Sequence, residues 1–225
     1  LQLGNDDKND LSNLLTSRLP TSVEDQVRQA RESLQRATSD GIHRHSIRLL
    51  LPLIGATELD DWPGGARQQM VAAYPLVEGI LGATSIQKVL IDESDGVVAL
   101  MAQGELAKDD SCTVLLPTAE TLAQQSIQTL ESQVGTKRNL IVVNPQWRRR
   151  SDFGGFWRTD DIMADTAELF VPTFSLTSLV CEGELIRVLR TYPGPWRVFF
   201  REQDDWTELG KKEYAAHKPE DWQQR

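Results

Sequence analysis

The run Leu140-Ile141-Val142-Val143 limits the fold of this chain more than any other feature. Four consecutive apolar residues leave no polar side for solvent, and such strands are typical of the centre of a sheet that helices cover on both faces. Amphipathic helical segments alternate with apolar strand-like segments before this run. The order helix, strand, helix, strand predicts a layered α/β domain.

A first helix is predicted directly after Pro20. Thr21 or Ser22 can cap it, and Glu24 follows Thr21 by three residues, as in a capping box. Its apolar stripe has helical spacing. The stripe comprises Val23, Val27, Ala30, Leu34 and Ala37.

Two more helices are expected, one after Gly64-Gly65 and one opened by Pro117 and Thr118. Pro75 should break or kink the former, because proline has no amide donor, and leave a second short piece to about Leu81. Strands are predicted at 44–51, 86–91, 97–102 and 112–116, with Asp95-Gly96 at a hairpin between 86–91 and 97–102.

The last third of the chain has a different pattern. Strands Phe174–Cys181 and Glu184–Arg190 flank Glu182-Gly183, and the turn at Tyr192-Pro193-Gly194-Pro195 leads into Trp196–Arg201. This predicts an antiparallel meander. The expected fold is therefore a single layered α/β domain with a mixed sheet, parallel and Rossmann-like in its N-terminal part and antiparallel in its C-terminal part.

The domain is expected to span 19–202. Residues 1–18 have no sustained periodicity and predict a flexible extension without a signal-peptide core. Residues 203–225 predict an acidic tail with a short helix near Glu208–Ala216.

Charge and composition exclude two classes of protein. The 225 residues carry 24 Lys and Arg against 33 Asp and Glu, a net charge of -9, so most of the surface repels nucleic acid and anionic lipid. No stretch approaches the roughly 18 to 20 apolar residues of a membrane-spanning helix. Cys112 and Cys181 lie in apolar strand-like segments and are expected to be buried free thiols in a reducing compartment; a disulfide or a reactive pair is the alternative.

The motifs of common enzyme classes are missing. The chain has no GxGxxG, no phosphate-binding loop ending in Gly-Lys-Ser/Thr, no Gly-x-Ser-x-Gly, no His-Glu-x-x-His and no paired CxxC. His43 and His45 would share one face of a strand, but no third ligand is near, so a surface or packing role is expected rather than a metal site. No catalytic residue, metal or cofactor is predicted.

Two candidates for ligand binding remain. Gly64, Gly65 and Arg67 stand at a helix start, where free amides and a cation can bind an anion; the alternative is a tight turn beneath Trp62. The segment Asn144-Pro145-Gln146-Trp147 follows an apolar strand at its carboxyl end, where α/β sheets bind ligands; an ordinary strand end is the alternative.

A basic and aromatic segment is the candidate partner-binding surface. Three consecutive arginines stand out in an acidic chain, and a glycine-hinged aromatic loop follows them. The alternative is a solvated loop. The candidate docking residues are Arg148, Arg149, Arg150, Phe153, Phe156 and Trp157.

Four strings of residues, in matching order, resemble the DUF1995 family of cyanobacteria and plastids over about 19–202. They are Leu19-Pro20-Thr21-Ser22, Asp61-Trp62-Pro63-Gly64-Gly65-Ala66-Arg67-Gln68-Gln69, Val142-Val143-Asn144-Pro145-Gln146-Trp147 and Leu189-Arg190-Thr191-Tyr192-Pro193-Gly194-Pro195-Trp196. Members of that family include low photosystem II accumulation assembly factors and a domain appended to a plastid adenylate kinase. The resemblance implies a chloroplast protein of the stroma or of the stromal face of the thylakoid.

The function that follows is that of a noncatalytic auxiliary protein of the photosynthetic apparatus. It would act in photosystem assembly, or as a peripheral subunit or linker of a photosystem–antenna membrane complex, held by protein partners rather than by a transmembrane helix. The alternative is a plastid enzyme that binds a nucleotide or a phosphometabolite on the α/β scaffold, with Gly64, Gly65 and Arg67 as its phosphate site.

Overall fold

One mixed sheet of nine strands organises the fold. The computed structural model describes residues 18–52, 65–83, 85–92, 97–103, 110–118, 126–147, 154–155, 158–159, 167–202 and 205–212. The helices in these ranges are α1 (Val23–Ser39), α2 (Gly65–Leu81) and α3 (Ser126–Val134). The strands are β1 (Arg44–Arg48), β2 (Ser85–Asp92), β3 (Val97–Gln103), β4 (Ser111–Leu115), β5 (Asn139–Val143), β6 (Gly154–Gly155), β7 (Arg158–Thr159), β8 (Val171–Cys181), β9 (Glu184–Thr191), β10 (Trp196–Glu202) and β11 (Asp205–Lys212).

The strand order of the sheet is β11-β10-β9-β8-β1-β5-β4-β3-β2. The four central strands β8, β1, β5 and β4 are parallel. Antiparallel strands flank them on both sides: β2 and β3 on one, β9 to β11 on the other. The predictions of a mixed sheet and of a C-terminal antiparallel meander are confirmed.

The prediction for the apolar run Leu140–Val143 is also confirmed. It lies in β5 between two parallel neighbours, and every residue of that strand is buried. Ile141 and Val143 face the cluster that α1 and α2 form with the sheet, whereas Leu140 and Val142 face the cluster that contains Ile127 of α3. We call these two sides of the sheet the α1 face and the α3 face.

Helix α1 starts one residue later than the predicted capping box implies. Ser22 is the N-cap, and its hydroxyl accepts a hydrogen bond from the backbone N–H of Asp25. Of the predicted apolar stripe, Ala30, Leu34 and Ala37 are buried, whereas Val23 is exposed. The buried face also includes Gln26 and Gln29 and runs along most of the helix, so only the start of the predicted stripe is left in solvent.

The expected break of α2 at Pro75 is wrong, since one helix runs from Gly65 to Leu81 with the proline inside it. Pro75 is exposed, and so is Val71, one turn earlier, whose carbonyl loses its amide partner. Water can satisfy a carbonyl on that side, while Ala73, Val77 and Ile80 hold the other side in the core. Packing therefore outweighs the local cost of the proline.

The expected short helix near Glu208–Ala216 is wrong for its described part. Residues Asp205–Lys212 form β11, which pairs antiparallel with β10 and is the outermost strand of the sheet. A register shift between Val198 and Phe199 interrupts the pairing. Such a bulge breaks the two-residue alternation by which a strand is recognised in sequence.

Candidate functional site

Most of the predicted site residues lie outside the described residues. This holds for Gly64 and for Arg148, Arg149, Arg150, Phe153, Phe156 and Trp157. Gly65 is the first residue of α2, and Arg67 lies in the first turn of that helix. Gly154 and Gly155 form β6, which pairs with Arg158 and Thr159 of β7.

The carboxyl ends of the parallel strands are closed by residues of the chain itself. The side-chain oxygen of Asn144 accepts a hydrogen bond from the backbone N–H of Leu49 at 2.6 Å, and its amide nitrogen donates to the carbonyl of Leu49 at 3.0 Å. Asn144 has φ +47°, a left-handed conformation that asparagine tolerates better than most residues. The end of β5 is thereby tied to the segment that leaves β1.

Two further contacts close the same edge. The backbone N–H of Gln146 donates to the carbonyl of Pro117, beyond β4, at 2.9 Å. The guanidinium of Arg48 donates to the carbonyl of Trp147 at 2.6 Å, and the Trp147 ring is buried on the α3 face. Five polar backbone groups at this edge, where α/β enzymes bind their ligands, are thus used within the chain: the N–H and carbonyl of Leu49, the N–H of Gln146, and the carbonyls of Pro117 and Trp147.

The amino ends of the strands hold a buried histidine. His45 on β1 is fully buried; its Nδ1 lies 2.9 Å from the Thr173 hydroxyl and its Nε2 3.3 Å from the side-chain oxygen of Asn139. Because that amide oxygen can only accept, Nε2 donates to it. Burial lowers the pKa of His45 to about 4, so the ring is neutral at pH 7.

His43 joins the same network rather than a metal site. Its Nδ1 lies 3.1 Å from the Asn139 oxygen, and the Asn139 amide nitrogen donates to the Thr38 hydroxyl at the end of α1. Within the part of the chain that the structure describes, no three His, Cys, Asp or Glu side chains are grouped to hold a metal ion. The two histidines join α1, β1 and β5.

A cavity of about 310 Å³ lies beside β2, β3 and β4 at the end of α3. Its lining includes Gln87, Gln103, Asp110, Cys112 and Arg138. Burial raises the pKa of the Cys112 thiol to about 11. The thiol is therefore protonated at neutral pH and is not a nucleophile there. Both cysteines are free, as expected, although Cys181 is only half-buried.

The turn Tyr192–Trp196 is held against the end of α1. The backbone N–H of Tyr192 donates to the carbonyl of Thr173, and its own carbonyl accepts from the guanidinium of Arg36. The Tyr192 hydroxyl donates to the carboxylate of Asp40 at 3.0 Å. The Tyr192–Pro193 peptide bond is cis.

The meander carries arginines stacked on aromatic rings, which sequence reasoning missed. The guanidinium of Arg187 lies 4.3 Å from the Trp206 ring, and that of Arg190 lies 5.4 Å from the Trp196 ring. Arg190 and Arg197 are buried. In sequence these residues are ordinary single arginines within strands. Only the register of the three strands β9, β10 and β11 brings them against the rings.

The comparisons with known proteins identify a family. A family model described as a domain of unknown function, DUF1995, matches residues 20–223. The chain belongs to that family, and the match runs past residue 202, where the resemblance was expected to end. No curated protein and no solved structure matches the chain. None of the described helices is long and apolar enough to cross a membrane.

Proposed function

We propose that this member of the DUF1995 family is a noncatalytic auxiliary protein of the photosynthetic apparatus. It assists photosystem assembly, or it sits as a peripheral stromal-side subunit or linker of a photosystem–antenna complex in the chloroplast. The proposed localisation in the chloroplast rests on the sequence resemblance to plastid members of the family. The noncatalytic role is supported chiefly by the pair of hydrogen bonds between Asn144 and Leu49.

The two hydrogen bonds between Asn144 and Leu49 lie at the carboxyl ends of the parallel strands. Enzymes built on open α/β sheets bind their substrates at the carboxyl ends of the parallel strands. In this chain the side chain of Asn144 uses both the N–H and the carbonyl of Leu49, and Gln146 uses the carbonyl of Pro117. A substrate at this edge would have to displace three hydrogen bonds. His45 and Cys112, held neutral by burial, are poorly suited to acid–base or nucleophilic chemistry at pH 7.

The proposed docking segment begins in the sequence directly after this edge of the sheet. Trp147, buried and bonded through its carbonyl to Arg48, directly precedes the arginines at 148–150 in the sequence. Further on, Gly154–Gly155 pair with Arg158–Thr159, and Phe156 and Trp157 stand between these two strands in the sequence. Arginines would steer the chain to an acidic surface of a membrane complex, and aromatic residues would supply the anchor.

The test measures retention of the chain on thylakoid complexes. Wild-type chain is added to thylakoid membranes, the complexes are separated, and co-migration with a photosystem is scored. Replacing Arg148, Arg149 and Arg150 by serine should slow association and weaken its dependence on salt, and Trp157→Ala should speed release. A wild-type chain that runs only as a free species would overturn the proposal.

Matched controls separate docking from folding and from net charge. The triple variant Arg18→Ser/Arg28→Ser/Lys137→Ser removes three exposed cations elsewhere, and Val71→Ala trims an apolar side chain that is 65% exposed on α2. Both should leave retention unchanged. Melting temperatures of all variants confirm that each remains folded. Equal loss of retention in the controls would contradict the assignment of the surface to 148–157.

The alternative is a plastid enzyme for a nucleotide or a phosphometabolite on a Rossmann-like scaffold. It is favoured by the position of Gly65 as the first residue of a helix of 17 residues, because the first backbone amides of a helix have no partner within the helix itself and helix N-termini commonly bind phosphate. Its test is nucleotide binding measured by calorimetry. Micromolar binding of ATP or ADP that Arg67→Ser abolishes would favour the enzyme over the auxiliary protein.

A further inference from the structure

Arg190 on β9 is a buried cation that lacks an acidic partner among the described residues. The residue is 8% exposed, and its Nε has no hydrogen-bond partner. Burial lowers the pKa of its guanidinium. The Trp196 ring covers part of the guanidinium, but a ring face supplies no hydrogen-bond acceptor of oxygen strength. A buried charge in this state is costly unless an anion balances it.

Two unpartnered hydroxyls lie on the same face of the sheet. Ser175 stands directly opposite Arg190 in the pairing of β8 with β9, is 1% exposed, and its Oγ has no partner. Thr177, two residues further along β8, points to the same face, and its Oγ1 also lacks a partner. Opposed Cβ atoms in such a pair are about 5 Å apart, so the three groups can reach one small ligand.

The face on which they stand is the α3 face. Leu189, the neighbour of Arg190, packs in the cluster on the α1 face, so Arg190 points to the other side. Arg48 is the register partner of Ser175 on β1, and its guanidinium binds the Trp147 carbonyl. The order across three strands is therefore Arg48, Ser175, Arg190. Two arginines therefore flank one hydroxyl in the register of this face.

We propose that Arg190, Ser175 and Thr177 bind a phosphate group. The guanidinium supplies charge and N–H donors, and the two hydroxyls supply further donors from a neighbouring strand. A phosphate presents three or more oxygens in different directions, whereas a carboxylate presents two in one plane, so donors spread over two strands fit phosphate better. The phosphate belongs either to a free phosphorylated compound or to a phospholipid headgroup. This site is separate from Gly65 and Arg67 at the start of α2.

The first experiment uses inorganic phosphate with the full chain. The melting temperature is followed against phosphate concentration, with sodium chloride of equal ionic strength as the reference. A ligand that binds only the folded state should raise the melting temperature progressively. Arg190→Gln should abolish the rise, and Arg190→Lys should weaken binding about 10-fold or more, because an ammonium cannot reproduce the planar fork. Arg187→Gln, on the same strand but the opposite face, is the matched control and should keep the rise.

Ser175→Ala distinguishes a binding role from a structural one. Removal of a buried hydroxyl without a partner should leave the stability in phosphate-free buffer unchanged or raise it. The same variant should lose most of the phosphate-dependent rise. Ser175→Ala therefore tests the phosphate site even if Arg190→Gln does not fold.

The second experiment identifies the source of the phosphate. Vesicles of phosphatidylglycerol and of phosphatidylcholine are sedimented with wild-type chain and with Ser175→Ala. Binding of free phosphate with no vesicle binding assigns a soluble ligand, and binding to phosphatidylglycerol that Ser175→Ala weakens assigns a headgroup. The proposal is overturned if the wild-type chain responds neither to inorganic phosphate nor to vesicles. It is also overturned if Arg190→Gln or Ser175→Ala responds as strongly as the wild-type chain.

Discussion

Arg197 and Glu208 form a two-pronged ion pair between β10 and β11, with Nε to Oε1 at 2.8 Å and Nη2 to Oε2 at 2.6 Å. The Arg197 side chain is 11% exposed and that of Glu208 is 26% exposed. Glu208→Gln should lower the free energy of unfolding by about 2 kcal/mol, below the usual range for a fully buried pair because Glu208 is partly solvated.

The double variant Arg197→Met/Glu208→Leu should recover most of that loss, because it removes both charges instead of leaving one buried. Urea unfolding of the three proteins tests the prediction. If the double variant is less stable than Glu208→Gln, the ion pair stabilises β11 more than apolar packing can.

Asn144 makes a second prediction, which separates hydrogen bonding from backbone conformation. Asn144→Ala loses two hydrogen bonds to Leu49 and places alanine at φ +47°, so the free energy of unfolding should fall by about 2 to 4 kcal/mol. Asn144→Gly loses the same bonds without the steric cost and should be about 1 kcal/mol more stable than the alanine variant. Equal stability of the two variants, measured by denaturant unfolding, would contradict a conformational contribution.

The parts of the fold that follow from local pattern were predictable from the sequence. The apolar run Leu140–Val143 indicated the central strand, and alternation with turn residues indicated the meander. The prediction that Pro75 breaks α2 was wrong because it considered only the hydrogen bond that proline cannot donate. The burial of Val77 and Ile80 in the core compensates that loss. The error at 208–212 came from the bulge opposite Val198 and Phe199, which breaks the alternation.

The proposed phosphate site was less predictable from the sequence, because it depends on the register in which β8 and β9 pair. Arg190 looks in sequence like an exposed strand residue, and nothing local shows that Ser175, fifteen positions earlier, stands opposite it. Asn144 was named as part of a strand end, but its double bond to Leu49 joins positions 95 residues apart. The six docking residues of the segment 148–157 and the glycine at 64 remain sequence predictions, since they lie outside the described residues.

His45 makes the stability of the chain depend on pH. Its folded pKa of about 4 is below the ordinary value of 6.5, so the unfolded chain binds more protons between these values. The stabilisation is complete above pH 6.5 and is lost as the pH falls toward 4. Between pH 7.5 and 5 the free energy of unfolding should drop by about 2 kcal/mol from this group.

The comparison protein for this titration is His45→Gln, which cannot ionise in the range. It is expected to be less stable at pH 7.5 and to lack about 2 kcal/mol of the pH-dependent loss seen in wild type. Denaturant unfolding at half-unit steps of pH gives both curves. Parallel curves would mean that His45 does not titrate differently in the folded chain.

Trp196 tests whether the turn after β9 is structural. Its side chain is 3% exposed and packs with Val188 and Val198, while its ring covers the Arg190 guanidinium. Trp196→Ala should lower the free energy of unfolding by about 3 to 5 kcal/mol, from lost apolar burial and the cavity that remains. Leu209→Ala, at a side chain that is 62% exposed, is the control and should change stability by less than about 0.5 kcal/mol. If Trp196→Ala instead retains full stability and loses binding to photosynthetic complexes, the turn is an interface with a partner rather than part of the core.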